Sequence, residues 1–180
     1  CCWRIDRLWK PGDSIQLAIG QKDIAVTPLQ MARFYAMLAN GGRLVTPHVV
    51  ASVEQPGSDS TSSTVLRSFQ PPPPQDTGVD PAALAVVREG LLLATRDRRG
   101  TSAAVFRGFP IPVAGKTGTA EKVVSLPGQS QPLLLDQSWW CGYAPADRPT
   151  IALCVVIENG GHGGTAAAPA ALKVLEQFFS

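Results

Sequence analysis

Apolar and polar positions are patterned along this chain in two ways, at helical spacing and as strand-like runs, and each predicts a different kind of element. Met31, Phe34, Tyr35 and Leu38 recur at helical spacing, which marks the buried face of an amphipathic helix. Thr27-Pro28-Leu29-Gln30 starts that helix with a capping hydroxyl, a proline suited to the first helical position and a glutamine that completes a capping box. Asn40-Gly41-Gly42 ends it with residues that tolerate positive φ. A second helix opens the same way at Asp80-Pro81, with Leu84, Val87, Leu91 and Leu92 inward. A short helix over Thr101–Phe106 and a last one opening at Pro169, with Leu172, Leu175 and Phe179 on its inner face, complete the helical set.

Strand patterns occupy the intervals. Leu44–Glu54 and Thr64–Phe69 read as strands, and the polar Ser/Gly-rich run Gln55–Ser63 between them as a hairpin tip. Pro71–Pro74 reads as a rigid polyproline connector rather than a recognition motif, so residues 55–79 form a peripheral hairpin loop and Pro-rich connector. Ala114–Glu121, Ser138–Pro145 and Thr150–Glu158 predict three consecutive strands; the last carries a continuous apolar run and is expected to be buried. Val124–Gln137 is expected to be a mobile loop containing Pro127-Gly128, with Leu133–Leu135 either docking on a neighbouring groove or packing on the sheet. Residues 1–26 start irregularly, with a turn at Lys10-Pro11-Gly12-Asp13 and an apolar segment from Ser14 to Gly20. Hairpin-type connections followed by a C-terminal helix point to an α+β fold, an antiparallel sheet covered by helices, and not to a βαβ parallel sheet.

Composition narrows the picture. The 180 residues suffice for one domain or a large piece of one, and 44% hydrophobic residues is normal for a globular chain. A net charge of +2, with no basic run interleaved with aromatics, disfavours nucleic acid as a partner. Ile151–Ile157 is far too short to span a membrane. The opening Cys1-Cys2-Trp3, without a start methionine, suggests a fragment. The four cysteines show no C-x-x-C spacing, which disfavours zinc, and His48 and His162 lack acidic neighbours at ligand spacing. Cys141 and Cys154 lie on consecutive strands and could face one another, but two buried thiols are the expectation. Arg96-Asp97-Arg98-Arg99-Gly100 reads as a solvated helix end, its cations near the negative pole of the helix dipole. Gly160-Gly161-His162-Gly163-Gly164 lacks the G-K-[ST] ending of a phosphate loop and reads as a flexible turn.

The chemistry concentrates in Ala114-Gly115-Lys116-Thr117-Gly118-Thr119-Ala120-Glu121. With side chains alternating at period two, Lys116 faces one side of the strand and the hydroxyls of Thr117 and Thr119 share the other. Gly118 between them is the kind of residue that permits close approach of a ligand or another backbone. Such an edge can receive an extended peptide and offer an ammonium and hydroxyls to a carboxylate.

Lys116-Thr117-Gly118 matches the K-T-G element of penicillin-binding proteins and serine β-lactamases. With Thr119-Ala120-Glu121, Gly20-Gln21, Ser138–Pro145, Ile151–Glu158 and Ala166–Pro169, nearly the whole chain resembles the C-terminal half of the transpeptidase domain of an elongation-type class B penicillin-binding protein. Lys22 stands where the family commonly has a glycine after that Gln. The resemblance implies a β-lactamase/transpeptidase-like fold, helices flanking a five-stranded antiparallel sheet, of which residues 1–180 supply part. It also implies a membrane-anchored peptidoglycan D,D-transpeptidase at the outer face of the cytoplasmic membrane, needing no cofactor. Its partners would be D-Ala-D-Ala stem peptides, β-lactams and cell-wall elongation proteins. Lys116, Thr117 and Thr119 would hold the substrate carboxylate, the Thr119 N–H would form half of the oxyanion hole, and Gly118 would let the acyl group pass. No Ser is followed three places later by Lys and no Ser-x-Asn occurs, so the nucleophile and its partners are expected in an upstream remainder of the domain. A serine β-lactamase or β-lactam sensor, and a non-catalytic cell-wall binding module, are the alternatives.

Overall fold

The computed structural model describes residues 9–21, 25–57, 62–125, 128 and 131–180. Its centre is a three-stranded antiparallel sheet in the order β5 (Ala114–Val124), β6 (Leu133–Ala144), β7 (Ile151–Ile157). Helices cover both faces. On one face α2 (Pro28–Ala39) and α3 (Pro81–Arg96) bury Tyr35, Leu38, Leu84 and Leu91 against Ala114, Cys141 and Tyr143. On the other, α4 (Ala103–Phe106) and α5 (Ala167–Phe178) bury Phe106, Ala171 and Leu175 against Trp140 and Ala144. The two clusters draw on alternate residues of β6, which is why its Trp-Trp-Cys-Gly-Tyr stretch is apolar throughout. The antiparallel sheet between helices expected from sequence is present.

The helix caps form as the sequence dictates. Thr27 Oγ1 accepts the Gln30 N–H at 3.2 Å and Gln30 Oε1 accepts the Thr27 N–H at 2.8 Å. Asp80 Oδ1 accepts the Ala82 N–H at 3.1 Å. Gly41 and Gly42 take φ of 84° and 91°, ending α2 with a reversal that a Cβ would strain. The inner faces are narrower than predicted, since Phe34 and Val87 are exposed at 45% each.

Several expected boundaries move. The turn at Lys10–Asp13 is instead the start of a helix, α1 (Pro11–Ala18), because Pro11 is pre-set for the first turn and Asp13 accepts the Lys10 N–H at 2.8 Å. Residues 1–8 lie outside the described residues. The single strand predicted over Leu44–Glu54 is two, β1 (Arg43–Leu44) and β2 (Ser52–Pro56), since Pro47 cannot donate to a ladder. β1 pairs with β4 (Gln75–Asp76), which follows the polyproline connector. β2 pairs with β3 (Ser63–Ser68) as an exposed ribbon whose tip, 58–61, lies outside the described residues. β7, expected to be buried, is half-buried along its whole length. α5 begins at Ala167, two residues before the proline that was to open it.

The largest revision concerns Val124–Gln137. β5 pairs with β6 along all 11 of its residues, and Leu133, Leu134 and Leu135 lie opposite Val124, Val123 and Lys122. The apolar triplet is strand, not loop, and the connection shrinks to residues 125–132, of which 126–127 and 129–130 are outside the described residues. Val123 and Leu134 are both exposed, 68% and 61%, so cross-strand pairing, not burial, extends the hairpin.

The cysteine expectation is also overturned. Cys141 and Cys154 are register partners on β6 and β7, with Cα atoms 4.1 Å apart, and they form a disulfide in place of two thiols. Sequence could place them on neighbouring strands but could not give their register.

Candidate active site

β5 is an edge strand, and its outer side carries the residues singled out above. Lys116 lies opposite Cys141 and Thr117 opposite Trp140, so their Cβ atoms point to opposite faces as period two requires. The long lysine stem then folds back around the edge. Its Nζ lies 3.1 Å from Thr117 Oγ1, 2.9 Å from the Thr117 carbonyl and 3.4 Å from Thr101 Oγ1. Thr117 Oγ1 in turn donates to Thr101 Oγ1 at 2.8 Å. An ammonium and two hydroxyls thus converge at one point, although they start from two faces and two elements. Lys116 is exposed overall, yet partial desolvation of its ammonium holds its pKa below the ordinary lysine value of 10.5.

Thr119 sits one pleat further along on the Thr117 side. Its Oγ1 accepts the Gly163 N–H at 3.4 Å, and its carbonyl accepts from Gln21 Nε2 at 3.0 Å. In an extended strand a residue's N–H and C=O point to the same side. The Gln21 contact therefore shows that the Thr119 peptide groups are aimed off the free edge, away from β6. Lys116 Nζ on the Thr117 carbonyl reports the same for Thr117.

What fixes this edge lies beneath it. Trp140 is fully buried, its ring 5.1 Å from that of Phe106 and its Nε1–H directed at Ser102 Oγ, 3.4 Å away. The indole lies over the Gly115–Gly142 pair, where a Cβ would come within 2.3 Å and 2.4 Å of ring carbons. The glycine-rich segment 160–164 is a turn, as expected, but a tightly packed one. A Cβ on Gly163 would stand 2.5 Å from the Gly118 carbonyl and 2.3 Å from that of Trp139. Ser138, fully buried, holds the segment by donating to the His162 carbonyl and accepting the Ala167 N–H, both at 3.0 Å.

Lys116, Thr117, Gly118 and Thr119 are therefore contiguous on one accessible edge. Sequence reasoning missed Thr101, Gln21 and Gly163 as neighbours of that edge. In the sequence Gly20-Gln21 stands out through the resemblance and as the end of an apolar segment, and the Gly163 segment reads as a turn. Thr101 carries no sequence signal, because it is brought in by the α3–α4 reversal.

A penicillin binding protein transpeptidase domain model matches residues 5–176. The chain belongs to the penicillin-binding protein transpeptidase family. Peptidoglycan D,D-transpeptidase MrdA of Haemophilus influenzae is 32% identical over 186 residues, covering 98% of this chain and 27% of that protein. Among solved structures, PBP2 of Pseudomonas aeruginosa superposes with a TM-score of 0.71 at 30% identity, covering 97% of this chain and 35% of that one. Penicillin-binding protein A of Mycobacterium tuberculosis, solved as an imipenem acyl-enzyme complex, superposes at 0.70 with 30% identity, covering 91% and 33%. The chain thus spans about a quarter to a third of the length of these relatives, and the antiparallel sheet between helices is part of the penicillin-binding transpeptidase fold.

Proposed function

We propose that this chain is the substrate-edge portion of a serine D,D-transpeptidase that cross-links peptidoglycan stem peptides and is acylated by β-lactams. The observation that carries the reading is the free edge of β5, where the Lys116 ammonium, the Thr117 hydroxyl and the outward Thr119 peptide lie side by side. A carboxylate placed there meets a cation and hydroxyl donors, which fits the carboxylate of a D-Ala-D-Ala donor or of a β-lactam. The Thr119 N–H supplies one donor to an oxyanion on the bound acyl group. Gly118, without a side chain, leaves room for that group. Thr101, in contact with both Lys116 and Thr117, orients them.

The nucleophilic serine and its lysine, in S-x-x-K, and the S-x-N serine come from the remainder of the same domain. Elongation proteins of the cell wall are the expected protein partners. The site faces the outside of the cytoplasmic membrane. The Cys141–Cys154 disulfide supports that location, because such bonds persist in oxidising compartments.

The test is Lys116→Ala in the full-length protein, followed by the second-order rate of β-lactam acylation. Removing a charge-assisted contact to a carboxylate costs about 1.5–3 kcal/mol, so the rate should fall at least tenfold. An unchanged rate would remove the role assigned to the edge. Deacylation separates the alternative, since a transpeptidase retains the penicilloyl group and a β-lactamase releases it.

A further inference from the structure

A cavity of about 550 Å³ opens between the C-terminal end of α3, α4 and the segment leading into β5. Phe106 and Val113, buried to 6% and 2% exposure, form its apolar floor, and Ile111 contributes to the wall. Arg96, Arg98 and Arg107 line it as well, all three exposed. Among the described residues no carboxylate pairs with any of the three guanidinium groups. Asp97 is the only acid between residues 96 and 113, and it is already engaged. Its Oδ1 accepts the Arg99 backbone N–H at 2.8 Å and the Arg99 guanidinium at 3.3 Å, which holds its carboxyl below the usual range.

On sequence alone these arginines read as a solvated helix end. The fold changes that, because Arg107 comes from beyond α4 to join Arg96 and Arg98 around one apolar hollow. Three like charges around such a hollow repel one another unless an anion is present. We propose that the cavity is a docking site for an acidic peptide segment of a protein partner. An apolar side chain of that segment enters above Phe106 and Val113, and its flanking carboxylates are taken by the arginines, whose planar forks suit bidentate pairing. Three separate cations call for several carboxylates, and an extended peptide spaces them at about 3.3 Å per residue. A small mono- or dicarboxylate offers only one or two, and these cannot reach three cations around an open hollow. Recognition of acidic motifs by arginine clusters is a recurring mode of peptide binding.

The inference does not rest on the transpeptidase reading. Fluorescein-labelled Glu-Leu-Glu-Glu amide, titrated with the intact protein and followed by anisotropy, should bind saturably with a Kd below about 1 mM. Binding should weaken as salt rises. Arg98→Glu and Arg107→Glu should each weaken it at least tenfold without changing the thermal midpoint. Should a reversal lower that midpoint, Arg98→Gln should still weaken binding. Equal binding of the Gln-Leu-Gln-Gln peptide, or indifference to the arginine changes, would overturn the proposal. So would the absence of saturable binding, as when other parts of the polypeptide fill the cavity. A tighter affinity for free decanoate than for the acidic peptide would reassign the cavity to small amphipathic anions and overturn the peptide reading.

Discussion

At the scale of single residues, Lys116 shows how one side chain can serve two faces of a strand. Its Cβ belongs to the α2/α3 side, while its ammonium ends beside the Thr117 and Thr101 hydroxyls. Desolvation there disfavours the charged form and lowers the pKa. In the proposed function, the charged form is the one that holds the carboxylate. The acylation rate of the full-length protein should therefore fall as pH rises through a midpoint below 10.5. In Lys116→Arg, which stays protonated, that alkaline limb should vanish; a limb unchanged in the arginine variant would assign it to another group. Tyr143 makes a second residue-scale case. It is fully buried, and its hydroxyl finds no hydrogen-bond partner among the described residues, while Arg88 lies over its ring at 5.9 Å. A buried hydroxyl without a partner costs about 1–3 kcal/mol. Tyr143→Phe is expected to leave the thermal midpoint of the intact protein unchanged or to raise it, and a fall would reveal a partner.

At the scale of elements, the position of β5 depends on what it rests on. Trp140 crosses the Gly115–Gly142 pair so closely that neither glycine has room for a methyl group. The indole cannot retreat, since Phe106 and Ser102 hold its other side. Gly115→Ala should therefore push β5 outward or displace the ring, at a cost of about 1–3 kcal/mol. Because Lys116 is the next residue, the same variant should lower β-lactam acylation more than a remote substitution of equal destabilisation. Denaturant midpoints and acylation rates measured together check this, and a loss of stability with full acylation would show that the edge is positioned from elsewhere. Gly163 supports the other end of the same edge, packed on the Gly118 carbonyl.

At the scale of the whole molecule, the sheet is held between two apolar clusters, and one covalent bond crosses it. The row Lys116–Cys141–Cys154 runs straight across β5, β6 and β7, so the disulfide ties the two strands behind the candidate site. Its loop is short, with a sequence separation of 13, and closing a loop of that size removes about 3 kcal/mol of unfolded-state freedom. The double variant Cys141→Ala, Cys154→Ala should lose about 2–4 kcal/mol of stability. Alkylation in denaturant without reductant, which reaches buried thiols as well, should label neither Cys141 nor Cys154, and labelling of both would show that they are free thiols.

The sequence by itself determined what short-range physics controls. Caps placed the starts of α2 and α3, and Asn40-Gly41-Gly42 the end of α2, within a residue, because a Thr or Asp before a Pro satisfies the first turn locally. Period two assigned the faces of Lys116, Thr117 and Thr119 correctly, because alternation is a property of the strand alone. Register was not legible. Only pairing between strands decided that Leu133–Leu135 continue β6 and that Cys141 meets Cys154, since both depend on pairing across a turn between two separate segments of the chain. The surroundings of the site were hidden for the same reason. Thr101, Gln21 and Gly163 reach the β5 edge through long-range packing, and no pattern local to any of them records it.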